Sequence, residues 1–421
     1  MKITKTFLLL MCIIAAAAGT AYAQVTTSPY SMYGYGILSD HATSAQRQMG
    51  TIGYAMRSGR QINVMNPASY AGMDSLTFLW DIGADISFIH SQEGSYKENT
   101  TGGGLDYLTM QFPLSKHFGG SVGLLPVSSV GYAFGNEIKH GTMENQGSGG
   151  LNLLYFGLAA NYYGIGIGAN ISYRFGNIIN DVYSTPEGSG RTLFEHVMQV
   201  RDWDINIGLQ YTLALTKADR VTLGATYTPR KSFLGKTWVT NQNLGDNTSK
   251  PDTVAYMRMK GSYYQPHTIG AGINYTHARQ SRFMVEADFT YQNWKDAPYS
   301  PLYDDKGNTV FQGMEFNDRY KVAVGGEYVP KLRGRYLQRV AYRIGGYYSR
   351  DYLNIRGNNV KEYGLSCGFG FPTPEGRTVI NLGFDWKHRM ASPTSLISEN
   401  YFNITLGVNF NELWFYQRKI K

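Results

Sequence analysis

Cysteine is scarce in this chain, since its 421 residues include two. Cys12 lies in a segment that we expect to be removed, which leaves Cys367 without a partner and excludes a disulfide within the mature chain. Cys367 alternates in phase with Leu365 and Phe369, and this phase predicts a small outward-facing apolar residue rather than a nucleophile. The chain therefore does not resemble a small disulfide-stabilised secreted domain.

Long apolar runs are missing after the first 23 residues. A transmembrane helix needs about 20 consecutive apolar residues, and no later stretch approaches that length. The chain nevertheless contains 33 Tyr and 49 Gly, and its mean hydropathy is -0.30. This composition suits an exported β-barrel, in which apolar residues alternate with polar ones.

Sequence patterns for catalysis, metal binding and nucleic-acid binding are absent. The eight histidines lack the spacing of a zinc site, and the glycine clusters lack the following helix of a phosphate-binding loop. The formal charge of +8 is spread along the chain, with no basic cluster before the last residues. We therefore expect no enzyme activity, no metal, no cofactor and no nucleic-acid partner.

The first residues have the pattern of a secretory signal peptide. Lys2 and Lys5 precede an apolar run over residues 7–18, and the Ala-Tyr-Ala at residues 21–23 provides a small-residue cleavage site. We therefore predict that residues 1–23 are a signal peptide that is removed.

Residues 76–410 alternate between apolar and polar over about fourteen short segments. The apolar face of the first segment consists of Leu76, Phe78, Trp80, Ile82, Ala84, Ile86 and Phe88. A period of two over roughly ten residues is typical of a strand with lipid on one side and a polar lumen on the other. The sequence therefore predicts an all-β fold, a transmembrane antiparallel β-barrel of about 14 strands. A soluble β-sandwich is the alternative, although its outward faces should be polar.

The connections between the segments differ in length. Those after odd-numbered segments are long and polar, as in residues 176–197, 230–256 and 293–316, whereas those after even-numbered segments are short, as in residues 276–281. In outer-membrane barrels the periplasmic turns are short and the outward loops are long. We therefore expect the outer membrane of a Gram-negative bacterium, with both termini in the periplasm.

Residues 24–75 precede the first segment and do not alternate. Their apolar residues are scattered among glycines, and those expected to contact the barrel interior are Met49, Ile52, Met56, Val64 and Met65. A segment with this apolar content seeks burial, and the lumen is the large concave space available. We predict that it is a plug; the alternative is a periplasmic tail.

Several short motifs, in a fixed order, carry a family resemblance. The first two are Arg-Gln-Met-Gly-Thr-Ile-Gly-Tyr-Ala at residues 47–55 and Asn66-Pro67-Ala68 just before the first segment. Others lie at residues 149–152, 173–176, 266–270, 287–291 and 325–330. Together they resemble the FadL family of outer-membrane transporters for hydrophobic compounds, in a branch like that of Bacteroidetes. The resemblance implies a fourteen-stranded barrel in outer-membrane lipid, a hatch that contains the Asn-Pro-Ala motif, and a hydrophobic small-molecule ligand that leaves sideways through a gap at the third strand.

A proline in the third segment supports such a gap independently. Pro126 lies between Leu124 and Val127 in a segment that otherwise has the pattern of a strand. Proline has no N–H to donate to a neighbouring strand. These three residues are a candidate lateral gate. A local bulge is the alternative interpretation.

The expected inner wall is charged, which departs from a purely apolar channel. Its charged residues are Asp81, Asp85, Arg174, Asp204, Glu286, Asp288, Lys321, Glu327, Arg339, Arg343, Asp385 and Lys387. Charges in a lumen mostly pair with one another. Such a network could anchor a plug.

The chain continues beyond its last alternating segment. Residues 411–421 form an aromatic and basic tail, and the residues expected to make contacts are Leu413, Trp414, Phe415, Tyr416, Arg418 and Lys419. This composition suits an interfacial membrane anchor in the periplasm. The alternative is a docking segment for a partner.

Two functions follow from these observations and from the resemblance, and an outer-membrane enzyme is a third alternative. The first is passive uptake of small hydrophobic compounds of the fatty-acid kind, with lateral exit near the third strand. The second is a non-transporting FadL-like barrel that serves as an accessory or scaffold subunit of an outer-membrane assembly or secretion complex, with other outer-membrane or periplasmic subunits as partners. An apolar cavity beside Asn66 together with a bent third strand favours uptake, whereas a filled lumen and exposed apolar patches on the loops favour the complex.

Overall fold

The computed structural model describes residues 28–74, 76–245, 252–259, 263–303, 306–374 and 377–413. The predicted signal peptide lies outside these ranges. So do the tail residues Trp414, Phe415, Tyr416, Arg418 and Lys419. No helix in the described ranges combines the length and the apolar composition that a membrane-spanning helix needs.

Fourteen strands pair in chain order. They are β1 (Thr77–Glu93), β2 (Tyr96–Pro113), β3 (Phe118–Ile138), β4 (Gly141–Tyr162), β5 (Ile165–Pro186), β6 (Arg191–Ala214), β7 in two parts (Asp219–Thr228 and Gly235–Gly245), β8 in two parts (Asp252–Met259 and Thr268–Ala278), β9 (Arg282–Gln292), β10 (Arg319–Val329), β11 (Ala341–Ile355), β12 (Asn358–Pro372), β13 (Val379–Ser392) and β14 (Ser398–Leu413). Each strand is antiparallel to its neighbours.

The sheet closes into a barrel because the last strand pairs with the first. The ladder between β1 and β14 runs from Thr77 opposite Leu413 to Gln92 opposite Ser398. The prediction of an antiparallel barrel of about 14 strands is thus confirmed. We call the end that carries Thr77 and Leu413 the proximal end, and the opposite end the distal end.

The short elements lie outside the barrel strands. They are the 3-10 helices Pro29–Met32 and Pro67–Gly72, the single helical turns Ser44–Arg47 and Tyr336–Arg339, the strand Ile37–Leu38, and two small ladders that join Lys231–Ser232 to Tyr264–Gln265 and Leu302–Tyr303 to Thr309–Phe311.

The predicted alternation corresponds to the two faces of the wall. In β1 the outward side chains of Ile86 and Phe88 are 52% and 48% exposed, whereas the inward side chains of Leu79 and Asp81 are at most 1% exposed. Strands with an apolar outer face and a polar inner face are what lipid outside and a filled lumen inside require.

Several strands extend further than their apolar pattern indicates. Residues 176–197 were expected to be a long polar connection. Residues 176–186 instead form the distal half of β5 and residues 191–197 belong to the distal half of β6, so that residues 187–190 alone connect the two strands. Likewise, residues 94–95 alone connect β1 to β2. The expectation of long connections after these odd-numbered strands was therefore wrong. Backbone pairing holds the distal halves together, and pairing does not need an apolar outer face.

Candidate functional site

Inward-facing glycines leave room for the backbone of residues 28–74. A Cβ at Gly224 in β7 would lie 1.9 Å from the carbonyl oxygen of Tyr54, and one at Gly325 in β10 would lie 2.1 Å from that of Met49. Both distances are too short for non-bonded atoms. The two glycines are therefore needed for the close approach of this segment to the wall.

Three of the five predicted interior contacts pack together against the wall. Met49, Ile52 and Met56 are almost fully buried and form a cluster with Met284 of β9 and Ala323 of β10. Burial of each such side chain contributes about 1.5–3 kcal/mol. The cluster therefore stabilises the position of the segment against the strands.

The other two predicted contacts lie in different surroundings. Val64 is buried in a second cluster together with Tyr70 and Tyr155, whose ring centres are 6.4 Å apart. Met65 is half-buried and lines a cavity of about 160 Å³, to which Arg174 of β5 also contributes. This cavity, which residues of the predicted hatch help to line, is thus small and partly charged.

Asn66 joins the segment to the barrel wall. Its Oδ1 accepts a hydrogen bond from the N–H of Ala68 at 3.0 Å, which caps the 3-10 helix that Pro67 begins. Its Nδ2 donates to the carbonyl oxygens of Tyr54 at 2.6 Å and of Leu209 in β6 at 3.2 Å. An amide side chain supplies both a donor and an acceptor, which explains why asparagine suits this buried position.

Two carboxylates of β9 bind the backbone of the segment. Asp288 Oδ2 accepts hydrogen bonds from the N–H groups of Gly53 at 2.7 Å and Tyr54 at 3.0 Å. Glu286 Oε1 accepts one from the N–H of Ala55 at 2.9 Å. Three consecutive buried N–H groups, which would be costly to leave unpaired, are satisfied in this way.

Asp40 attaches the segment to β10. Its carboxylate lies 3.2 Å from a guanidinium nitrogen of Arg319 and 2.5 Å from Nζ of Lys321. Lys321 also donates a hydrogen bond to Thr51. The alternation along β10 predicts that Lys321 lies on the inner wall. Nothing local in the sequence links it to Asp40, because the two residues are far apart along the chain.

Other charges of the expected inner wall also pair with partners. Glu327 lies 2.8 Å from Arg343, and Arg343 donates to the side-chain oxygen of Gln48 at 2.8 Å. Arg339 does not belong to this wall, so that prediction was wrong. It lies on the helical turn Tyr336–Arg339 between β10 and β11, because β11 has not yet begun at that position.

The barrel wall is incomplete between β2 and β3. Their ladder runs from Pro113 opposite Gly119 to Leu108 opposite Leu124 and ends there among the described residues. Distal to this point β2 continues beside β1, while the freed edge of β3 has a different neighbour, residues 37–39.

Residues 37–39 take the place of β2 beside the distal part of β3. Ile37 lies opposite Ser129 in an antiparallel pair, and the N–H of Ser39 donates to the carbonyl oxygen of Val127 at 2.9 Å. The segment thus covers a strand edge that would otherwise have unpaired backbone groups.

The break coincides with the three candidate gate residues. Leu124 is the last residue of β3 that pairs with β2, and Pro126 lies opposite Asn152 of β4. The register with β4 shifts between Pro126 and Ser128, so that Val127, which is buried, is an extra residue. A bulge and the end of a ladder therefore occur together at this position.

A cavity of about 660 Å³ lies beside the break, and its lining includes Leu105 and Asp106 of β2 and Pro126 of β3. The other charged lining residues are Asp40, Arg47, Asp85, Arg319, Asp351, Glu362, Asp385, Lys387 and Arg389. Arg47 and Asp106 form an ion pair at 2.7 Å. An apolar ligand in this cavity would take water from charged groups without replacing its hydrogen bonds, which is unfavourable.

The distal part of the interior contains an aromatic core that the alternation of the sequence did not predict. The ring of Tyr35 lies 5.5 Å from that of Trp294, and the rings of Phe316 and Tyr352 are 5.0 Å apart. All four residues are buried. Trp294 and Phe316 come from the connection of residues 293–316, which we expected to be polar. The aromatic residues of that connection were the available signal.

Histidine, cysteine and acidic side chains are the candidates for metal binding and thiol chemistry. No group of three His, Cys, Asp or Glu side chains in the described ranges is placed to hold a metal ion. Cys367 is exposed on the outer face of β12, opposite Ile344 and Phe384, in the orientation that its phase predicted.

A family model described as BamG matches residues 3–421. Among solved structures, a Pseudomonas aeruginosa FadL homologue is 10% identical, with 89% of this chain and 99% of that chain covered and a TM-score of 0.64. The P. putida toluene transporter TodX is 14% identical, with 90% and 100% covered and a TM-score of 0.60. No curated protein matches the chain. At these identities the solved structures share the fold.

Proposed function

The chain belongs to the BamG family, and from this premise we propose that it is a plugged outer-membrane β-barrel that acts as an accessory or scaffold subunit of an outer-membrane protein complex. In this proposal residues 1–23 are a cleaved signal peptide, residues 24–75 are the plug, and both termini are periplasmic. Its partners are membrane lipid and other outer-membrane or periplasmic proteins.

One observation carries the proposal: residues of the N-terminal segment form hydrogen bonds and ion pairs with polar side chains of the inner wall. Residues 53–55 bind the carboxylates of β9, and Asp40 pairs with two cations of β10. The side chain of Lys321 is 5% exposed and that of Asp40 is 28% exposed, so removal of Asp40 would leave a buried ammonium group without its carboxylate. A passing hydrophobic compound provides nothing that would replace these contacts, so the interior supports a scaffold better than a conduit.

A native complex tests the proposal directly. The tagged chain is expressed at its natural level, membranes are solubilised gently, and the purified material is analysed by native electrophoresis and quantitative mass spectrometry. We expect the chain to run in a species larger than the monomer, with another outer-membrane protein at a fixed stoichiometry. A monomer with no stoichiometric companion would contradict the accessory role.

The break between β2 and β3 favours a second candidate, passive uptake of a small hydrophobic compound. In this alternative the ligand passes Leu124, Pro126 and Val127 on its way into the membrane. A solved structure of similar fold is described as a toluene transporter. Cells with and without the chain would be compared for uptake of radiolabelled toluene and of a fatty acid. Equal uptake by both cells would exclude these two compounds as ligands.

A further inference from the structure

Three turns at the proximal end form a surface that has no part in the proposals above. They are residues 215–218 between β6 and β7, residues 279–281 between β8 and β9, and residues 330–340 between β10 and β11. The N–H of Ala278 donates to the carbonyl oxygen of Ala218 at 2.8 Å, and the N–H of Leu332 donates to the backbone carbonyl oxygen of Gln280 at 2.9 Å. The turns are therefore neighbours, and we call them together the basic rim.

The basic rim carries positive charge without an acidic residue of its own. Its cations are Lys217, Arg279, Lys331, Arg333, Arg335 and Arg339, and none of its residues is Asp or Glu. All of these except Arg339 are exposed. Asp219, which directly follows one turn, already accepts hydrogen bonds from Thr216 and His277. The positive charge of the basic rim therefore faces solvent.

Exposed apolar side chains lie among these cations. Leu215, Leu332 and Leu337 are 56%, 42% and 68% exposed. The hydroxyl of Tyr342, an outward residue of β11, donates to the carbonyl oxygen of Leu337 at 3.2 Å. The basic rim therefore continues directly into the apolar outer face of the barrel. A tyrosine with its ring on the apolar side and its hydroxyl at the edge is typical of a membrane interface.

We propose that the basic rim binds the phosphate groups of anionic phospholipids in the adjoining leaflet. The guanidinium and ammonium groups bind phosphate oxygens, while the leucines lie among the upper parts of the acyl chains. An acidic protein would also be attracted by the charge, but leucines continuous with the lipid-facing surface favour lipid. The inference assumes the proposed membrane placement and is independent of whether the barrel is a subunit or a transporter.

Native mass spectrometry of the purified barrel tests the inference. The barrel is released from nanodiscs that contain phosphatidylcholine and phosphatidylglycerol, and the retained lipids are counted. The test variant combines Arg279→Gln, Lys331→Gln and Arg333→Gln. The matched control combines Lys97→Gln, Lys139→Gln and Lys295→Gln, which removes the same charge from exposed distal positions. We expect the test variant to bind phosphatidylglycerol at least about tenfold more weakly than the parent, and the control to equal the parent.

Each outcome of this test decides the proposal. Equal retention of phosphatidylglycerol by the parent and the folded test variant would overturn it, as would equal retention of the two lipids by the parent. If the test variant does not fold, the parent alone is measured at increasing salt. Bound phosphatidylglycerol should then fall steeply, whereas salt-independent binding would contradict the proposal. Because the barrel is purified, failure of the accessory role does not affect the result.

Discussion

At the scale of single residues, the position of the N-terminal segment depends on a few polar groups with matched partners. Asn66 is the clearest case, because its amide caps the helix Pro67–Gly72 and also binds a carbonyl oxygen of β6. If these backbone groups were buried without the amide of Asn66, the loss of free energy would exceed what the hydrogen bonds contribute, since water cannot reach the site. The motif that resembles a family signature therefore also has a local physical explanation.

Replacement of this side chain should destabilise the folded barrel. We expect Asn66→Ala to lower the free energy of unfolding by about 1–3 kcal/mol, because the buried N–H of Ala68 loses its acceptor and the carbonyl oxygen of Tyr54 loses one of its donors. Equilibrium unfolding in detergent, followed by tryptophan fluorescence, measures the change. Asn136→Ala is the control, since Asn136 is exposed on the distal part of β3. Equal stability of the two variants would refute the role of Asn66.

Inward glycine provides a second test at this scale. A side chain at Gly224 would overlap the carbonyl of Tyr54, so Gly224→Leu should displace the segment from the wall. We expect an increase in ion conductance in planar bilayers while the barrel keeps its heat-modifiable migration. Ala225→Leu is the control, because the neighbouring side chain points outward. If both variants conduct like the parent, the segment does not block the lumen.

At the scale of elements, β3 differs from a regular wall strand. Its proximal part pairs with β2, whereas its distal part pairs with residues 37–39 of the same chain. In lipid, an unpaired backbone group costs several kcal/mol unless protein or water covers it. The change of partner next to Pro126 is tolerable because the N-terminal segment and a polar cavity lie there.

A substitution at Pro126 separates the two candidate functions. Pro126→Val restores a backbone donor, which should tighten the wall and, under the uptake reading, slow entry of a hydrophobic probe. Under the accessory reading, uptake stays at the parental rate. The measurement is probe uptake per amount of folded barrel, so that a folding defect does not imitate a transport defect. Pro372→Val, at the end of β12, is the control.

At the scale of the whole molecule, the two ends of the barrel differ. The proximal end has the first and last residues of the barrel, Thr77 and Leu413, and the basic rim, whereas the distal end has the extended strands and the aromatic core around Tyr35. In outer-membrane barrels the longer parts face outward. This asymmetry supports the proposed orientation.

Surface labelling checks that orientation. A tag inserted in the turn of residues 187–190 should be labelled on intact cells, and a tag in residues 279–281 should become accessible after permeabilisation. Both insertions lie in described turns, so the wall strands keep their pairing. Labelling of the second tag on intact cells would reverse the assignment of the two ends.

The sequence by itself determined which face of each strand is apolar. Phe88 and Leu79 lie on opposite faces of β1 because side chains alternate in any extended strand, whatever its neighbour. The closed barrel follows from many such strands, since closure leaves no unpaired edge in lipid. The distal halves of β5 and β6 were not predicted because the pairing of two backbones does not require an apolar face.

Only the tertiary structure decided which parts of the chain meet. The ladder between β2 and β3 ends at Leu108 and Leu124, and Asp40 of the N-terminal segment meets Lys321 on the inner wall. The connection that begins after β9 brings Trp294 to Tyr35 rather than to solvent. These contacts depend on the path of the chain in the closed barrel and on which strand edges face each other. Each contact joins residues that are neighbours in space but not along the chain. No local period in the sequence therefore carries that information.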